Sequence, residues 1–175
     1  MVFVIILVII LLFIAYMVKL NHDLVVNKDN ILRSMAALDA AIIKKNLAIL
    51  DLLGYAQEIM TKEANLIKEL FNMRHDINKI TPKIANAPER YQLQSEFDKK
   101  AAIFINASAR YPELNKNMGY QKSLQSYTEL DNACKERIDY FNQCVDNLNW
   151  SINSFPSSIL AQLDHTKEPP PHYQK

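Results

Sequence analysis

Glycine is nearly missing from this chain: Gly54 and Gly119 are the 2 glycines in 175 residues. That excludes phosphate loops of the P-loop or dinucleotide-binding kind, which need several glycines at fixed spacing. It also leaves little material for the tight turns of a β-rich fold. Cysteine is as scarce, with Cys134 and Cys144 the 2 present. On one helix they lie roughly 15 Å apart by helix rise, beyond disulfide reach. They are read as small packing side chains in a protein that needs no oxidising compartment. Neither sign of charge dominates, since the net charge is +1, so no general field draws nucleic acid or acidic substrates. The 4 histidines, His22, His75, His165 and His172, form no i, i+4 pair and no His-Glu-x-x-His motif. No Glu is followed by His three residues later, so Glu58, Glu63, Glu69 and Glu96 do not make the inward-facing di-metal motif of ferritin-like bundles. The serines form no nucleophile elbow. The expectation is therefore a non-enzymatic protein with no catalytic residue, no metal, no cofactor, no nucleic acid and no small-molecule substrate.

What is present begins with a run that lacks charge altogether. Met1 to Val18 reads MVFVIILVIILLFIAYMV, at the lower edge of what spans a hydrocarbon core of about 30 Å. A cleaved signal peptide would show a basic start and a small-residue cleavage site; neither is seen, so a retained transmembrane anchor over 1–20 is expected. Tyr16 and Lys19 stand where interfacial residues belong. Lys19, Lys28 and Arg33 follow the span, which by the positive-inside rule puts the N-terminus outside and the rest of the chain in the cytoplasm.

After the span, apolar residues recur at alternating steps of four and three. Ile31, Met35, Leu38, Ile42, Ile49, Leu53, Ala56 and Met60 mark a first long helix over Asp23–Met60. Lys45 stands in one seam slot and is expected to snorkel at an edge, and Gly54 is a candidate kink. Thr61 is read as the N-cap of a second helix with the stripe Leu66, Leu70, Met73, Ile77 and Ile80, ended by Thr81-Pro82. Pro88 suits the start of a third, striped by Leu93, Phe97, Phe104 and Tyr111. A loop over Pro112–Gly119 leads to a fourth, closed by Phe155-Pro156. The residues 161–175, with Pro169-Pro170-Pro171, read as a disordered or extended tail. The fold class expected is all-α: a transmembrane helix followed, over 21–160, by an antiparallel up-and-down four-helix bundle.

The fourth helix carries the clearest seam: Tyr120, Leu124, Tyr127, Cys134, Ile138, Phe141, Val145, Leu148, Ile152 and Phe155. Asp131 occupies the one slot where an apolar residue is missing. A buried carboxylate needs a partner, so Asp131 is expected to pair with a cation on a neighbouring helix, Arg110 or Lys122 being candidates. The other reading is that Leu130 turns inward and Asp131 sits at the edge. Asn142 and Asn149 form a polar stripe that either fixes register or bonds to loop backbone and water. Trp150 lies off the seam, as an interfacial anchor or shielded by the first helix. Because the outer helices are longer than the middle pair, Val145 to Phe155 is expected to lack two partners and to receive another chain or the membrane surface.

Phe141-Asn142, Val145, Leu148-Asn149, Ile152 and Phe155-Pro156-Ser157 resemble the Y-N-x-x-V-x-x-Y-N-x-x-I-x-x-F-P-S run of the LemA family. Tyr111-Pro112-Glu113-Leu114 is similar to its Y-P-x-L, and Asp131-Asn132 falls where that family has Glu-Asn. Lys44-Lys45-Asn46-Leu47 keeps the basic pair of the family's first soluble helix but lacks the Pro and Asn that follow it. The resemblance implies a bacterial single-pass membrane protein with a four-helix bundle and no established enzyme activity. The function expected is a scaffold or protein-interaction role at the membrane, with an unknown protein partner or a second copy. The rival is an accessory or regulatory subunit of a membrane-associated enzyme or envelope-stress system. The candidate interaction or structural residues are Asp131, Asn142, Asn149, Trp150, Phe155 and Pro156.

Overall fold

A computed structural model describes residues 1–81, 83, 86–164 and 169–173. Among them every regular element is helical and there is no strand. The helices are α1 Val2–Ala56, α2 Ala64–Lys79, α3 Ala87–Ser108, α4 Pro112–Lys116, α5 Met118–Asn153 and α6 Ser157–Leu163. The apolar run and the first seam helix are thus one helix, about 80 Å long at 1.5 Å per residue. Nothing in Val2–Ala56 interrupts it: there is no proline, and the helix runs through Gly54, in its last turn, to Ala56. Its N-terminal part is long and apolar enough to cross a membrane, and none of that window is buried. The first buried residue is Leu24.

Pairwise contacts fix the directions. Asn27 bonds Ser151 at 2.8 Å, Lys45 meets Asp131 at 3.4 Å, and the Tyr55 ring stands edge-on to Tyr120. Numbers rise on α1 as they fall on α5, so the two helices run antiparallel along their shared length. α2 and α3 form an antiparallel hairpin, held by Lys100–Glu69 at 2.9 Å and by the Arg90 guanidinium donating to the Ile80 carbonyl at 2.7 Å. α3 in turn follows α1 in the same direction, through Arg90–Asp39 and the Asn46–Gln94 amide pair. At the α1–α5 junction Gly119 has a steric reason: a Cβ there would sit 2.5 Å from the Tyr55 hydroxyl. Asn117 caps α5, its side-chain oxygen accepting from the Tyr120 N–H at 3.0 Å.

The buried apolar residues form two clusters. One joins Leu24–Ile42 of α1 with Tyr91 of α3, Cys134–Leu148 of α5, Ala161 of α6 and Tyr173. The other joins Ala48–Met60 with Ile67, Leu70 and Ile77 of α2, Phe97 and Phe104 of α3, Leu114 of α4, and Tyr120 and Tyr127 of α5. On each of the three helices that cross the boundary the gap is filled by polar side chains: Lys45 and Asn46, Gln94 and Asp98, and Asp131.

Several expectations are corrected. Thr61 does not cap α2; it opens a 3₁₀ turn, Thr61–Glu63, and α2 starts at Ala64 with Glu63 at its N-cap. The reversal uses Met60, fully buried, as its pivot. The loop before α5 contains α4, which starts on Pro112 and buries Leu114. Phe155 does not continue the seam. α5 ends at Asn153, Ser154 turns extended (φ −89°, ψ 136°), and Phe155 is 83% exposed. Nor does the seam from Val145 lack cover: Val145, Leu148 and Ser151 are buried, because α6 folds back along α5 and α1 and Lys28 pairs with Asp164. The tail is extended over 169–173 but docked rather than disordered, with Tyr173 buried. Pro82, His165 and the rest of the tail lie outside the described residues.

Candidate functional site

The polar layer follows from the seam itself. Ile42, Lys45 and Ile49 succeed one another at steps of three and four, so the helix carries the Lys45 side chain inward with its apolar neighbours. It is 2% exposed and does not snorkel. Burying an ammonium is costly unless it is paired, and Lys45 Nζ lies 2.8 Å from Asp98 Oδ1 and 3.4 Å from Asp131 Oδ1. Asp131 is shared further with Lys135 at 2.6 Å. Beside them Asn46 Nδ2 donates to Gln94 Oε1 at 2.8 Å, and Gln94 Nε2 donates to Asn46 Oδ1 at 3.2 Å and to Asp98 Oδ1 at 2.8 Å. Burial works to lower the Lys45 pKa, but Asp98 and Asp131 outweigh it and hold the ammonium above its ordinary range. Burial pushes the Asp98 carboxyl up, against Lys45 and Gln94. A second buried pair, Arg90–Asp39 at 3.0 Å, lies towards α6, and burial likewise raises Asp39 against the pull of Arg90.

A cavity of about 440 Å³ opens over the layer between α3 and α5. Its wall includes Lys45, Asp98, Asp131, Tyr127, Cys134 and Tyr173. Burial raises the Cys134 thiol, with Lys45 acting the other way, and raises Tyr127 and Tyr173 beyond the ordinary phenol range. Near neutral pH the site therefore presents a protonated thiol and phenols beside the Lys45 ammonium and its Asp98 and Asp131 carboxyl partners. Among the described residues no group of three or more His, Cys, Asp or Glu stands ready to hold a metal ion.

The tail reaches this groove from the far side. Tyr173 is 3% exposed, with its ring 4.8 Å from Tyr91 and tilted by 48°. Its backbone is held by one side chain: Asn142 Nδ2 donates to the Tyr173 carbonyl at 3.2 Å, and the Tyr173 N–H donates to Asn142 Oδ1 at 2.9 Å. His172 Nε2 lies 2.8 Å from Asp146 Oδ1.

The structure thus divides the candidate residues. Asp131 and Asn142 come to the α3–α5 groove, the first in its wall and the second on the tail. Asp131 pairs across helices as expected, but with Lys45 rather than Arg110 or Lys122. Asn142 bonds to backbone instead of fixing helix register. Asn149 is half-buried, and its carbonyl accepts from Asn153 Nδ2 at 2.8 Å. Trp150 is 68% exposed, so α1 does not shield it. Phe155, joined to Pro156 by a cis bond, is exposed at the α5–α6 turn. Asp98, Gln94, Asn46, Tyr91 and Tyr173 were not anticipated. Lys45 carried a signal: it and Asp131 are polar interruptions of two facing seams, and an antiparallel register lets them meet.

Compared with known proteins, residues 34–174 match the model of the LemA family. No curated protein and no solved structure matches the chain.

Proposed function

We propose, from the premise that the chain belongs to the LemA family, that it is a bacterial single-pass membrane protein whose work is non-enzymatic. Its up-down-up-down bundle serves as a scaffold that meets a protein partner close to the bilayer. The observation that carries this is the continuity of α1. Every side chain from Met1 to Ile14 among the large apolar ones is exposed, from Val8 at 47% to Met1 at 101%, and the same helix then enters the core at Leu24. A fully apolar helical surface of this length is stable in a lipid environment and not in water. Lys19, Lys28 and Arg33 support a cytoplasmic body.

The contact surface proposed is the end nearest the span. Asn27 bonds Ser151, and Ser157 faces Leu20 and Asp23 across a shallow groove, so the α5–α6 turn stands beside the first turns of α1 beyond the span. Trp150, Phe155 and Leu163 are 68%, 83% and 74% exposed there. Large apolar side chains concentrated at one end of a molecule mark an interaction surface. A photo-crosslinking residue placed at Phe155 in native membranes tests this reading. Discrete protein adducts, absent when the probe is moved to Glu129, are the expected result. Adducts with lipid alone would replace the protein partner with the bilayer surface. A topology reporter fused after Lys175 reads the side on which the body lies, and a signal from outside would overturn the orientation.

A further inference from the structure

We propose that the groove between α3 and α5 is a peptide-binding site whose ligand is the Pro169–Tyr173 segment of a second copy of this chain, exchanged for its own. The docked tail shows the chemistry of the ligand. Asn142 bonds both the N–H and the carbonyl of Tyr173, at 2.9 and 3.2 Å. One amide side chain thereby takes the place of a strand edge and reads extended backbone irrespective of side chain. Specificity comes from the aromatic socket. The Tyr173 ring tilts against Tyr91, which stands edge-on to Phe141 with centroids 5.7 Å apart. His172 adds a contact of its Nε2 with Asp146 Oδ1 at 2.8 Å. The three prolines before it pre-set an extended backbone, which lowers the ordering cost of docking.

The fit is held at few points and leaves room. One cavity of about 440 Å³ lies below Tyr173 towards Lys45, and another of about 440 Å³ lies between the tail and α3, walled by Pro88, Tyr91, Pro171 and His172. The Tyr173 hydroxyl is buried with no hydrogen-bond partner among the described residues. A five-residue segment secured by the Tyr173 backbone and ring, by the buried Pro170 and by the His172–Asp146 contact is small enough to exchange as a unit. Every copy carries both groove and ligand, and a reciprocal exchange closes as a two-fold dimer that reproduces each contact of the unexchanged state. Confinement of copies to one membrane plane raises their effective concentration; this one point rests on the proposed anchoring, and the contacts themselves do not.

Two full-length variants test the proposal by complementation in detergent micelles. Asn142→Ala impairs the groove and leaves the tail whole; Tyr173→Ala impairs the tail and leaves the groove whole. With the two labelled by different fluorophores, the mixed pair is expected to associate at least tenfold more tightly than either variant with itself. Equal association in all three mixtures, or none in the mixed pair, overturns the second copy as ligand. In a parallel arm, a labelled peptide of residues 165–175 is titrated into Tyr173→Ala. Binding that disappears in Asn142→Ala/Tyr173→Ala supports the site, and no binding overturns it. The titration into Tyr173→Ala keeps Asn142 intact, so absence of binding there overturns the site even if Asn142→Ala fails to fold. Binding of the peptide without association of the chains assigns the groove to a peptide from another protein. Repeating the mixture with Trp150→Ser and Phe155→Ser should leave it unchanged, which separates failure here from failure of the membrane-end surface.

Discussion

The two apolar cores of this protein are built from the same helices but closed in different ways. The core next to the 3₁₀ turn is sealed by α2, α3 and α4, each joined to its neighbour by a short connection. The core nearer the span has α2 and α4 missing from it and is sealed by α6 and by Tyr173. Between them lies the layer of Lys45, Asn46, Gln94, Asp98 and Asp131. Contacts between neighbours in sequence close one core, and contacts reaching back from the chain's last third close the other. The second kind carries a larger loop-closure cost.

The comparison can be broken at several levels. Phe97→Ala removes a fully buried ring from the core beside α2 and should cost about 4 kcal/mol. Denaturant unfolding measures the total, and hydrogen exchange should show the loss concentrated in α2, α3 and the start of α5. Lys45→Ala should come next. It strands two carboxylates that are a quarter to a third exposed, 25% and 29%, and a cost of about 3 kcal/mol is expected after allowing for that exposure. Here protection should fall in both cores. The triple replacement Lys45→Leu, Asp98→Leu and Asp131→Leu should recover most of the loss in thermal melts, because a buried ion-pair cluster gains little over packed apolar side chains. Asn142→Ala should cost about 1 kcal/mol, with faster exchange at Tyr173 and none added around Phe97.

Alkaline pH should have the mildest effect. Cys134, Tyr127, Tyr173 and Lys45 all have folded-state pKa values raised above the ordinary 9.0, 10.0, 10.0 and 10.5. A raised pKa stabilises below its unfolded value and is lost as pH rises towards the folded one. The melting temperature should therefore hold from neutral pH to about 9 and decline above it, with a smaller decline in Tyr173→Phe.

Helix periodicity made much of this legible. Leu70 and Ile77, Phe97 and Phe104, and the seam from Tyr120 through Leu148 apart from half-buried Leu124 and Asp131 are buried as their spacing predicts. The polar layer was half legible: Asp131 announced itself by its slot, whereas Lys45, judged by residue type, was sent to an edge. A single stripe cannot say which slot faces which, because that depends on the register between helices far apart in sequence. The tail's extended backbone was legible from its prolines, but its docking was not. One tyrosine after three prolines carries no periodicity, and its burial depends on Asn142 and Tyr91, supplied by two other elements. Phe155 misled for the opposite reason, since its spacing was right and the helix had already ended.

The uninterrupted run of α1 has a mechanical consequence. A helix advances 100° per residue, so the face the apolar span turns towards any neighbour and the face that enters the core at Leu24 are locked in one angular phase. Inserting a single residue between Leu20 and Leu24 would turn the body by about 100° against the span while lifting it only about 1.5 Å; inserting seven would restore the phase and lift it by about 10 Å. The two insertions separate bearing from height, and show which of them a partner beside the span reads.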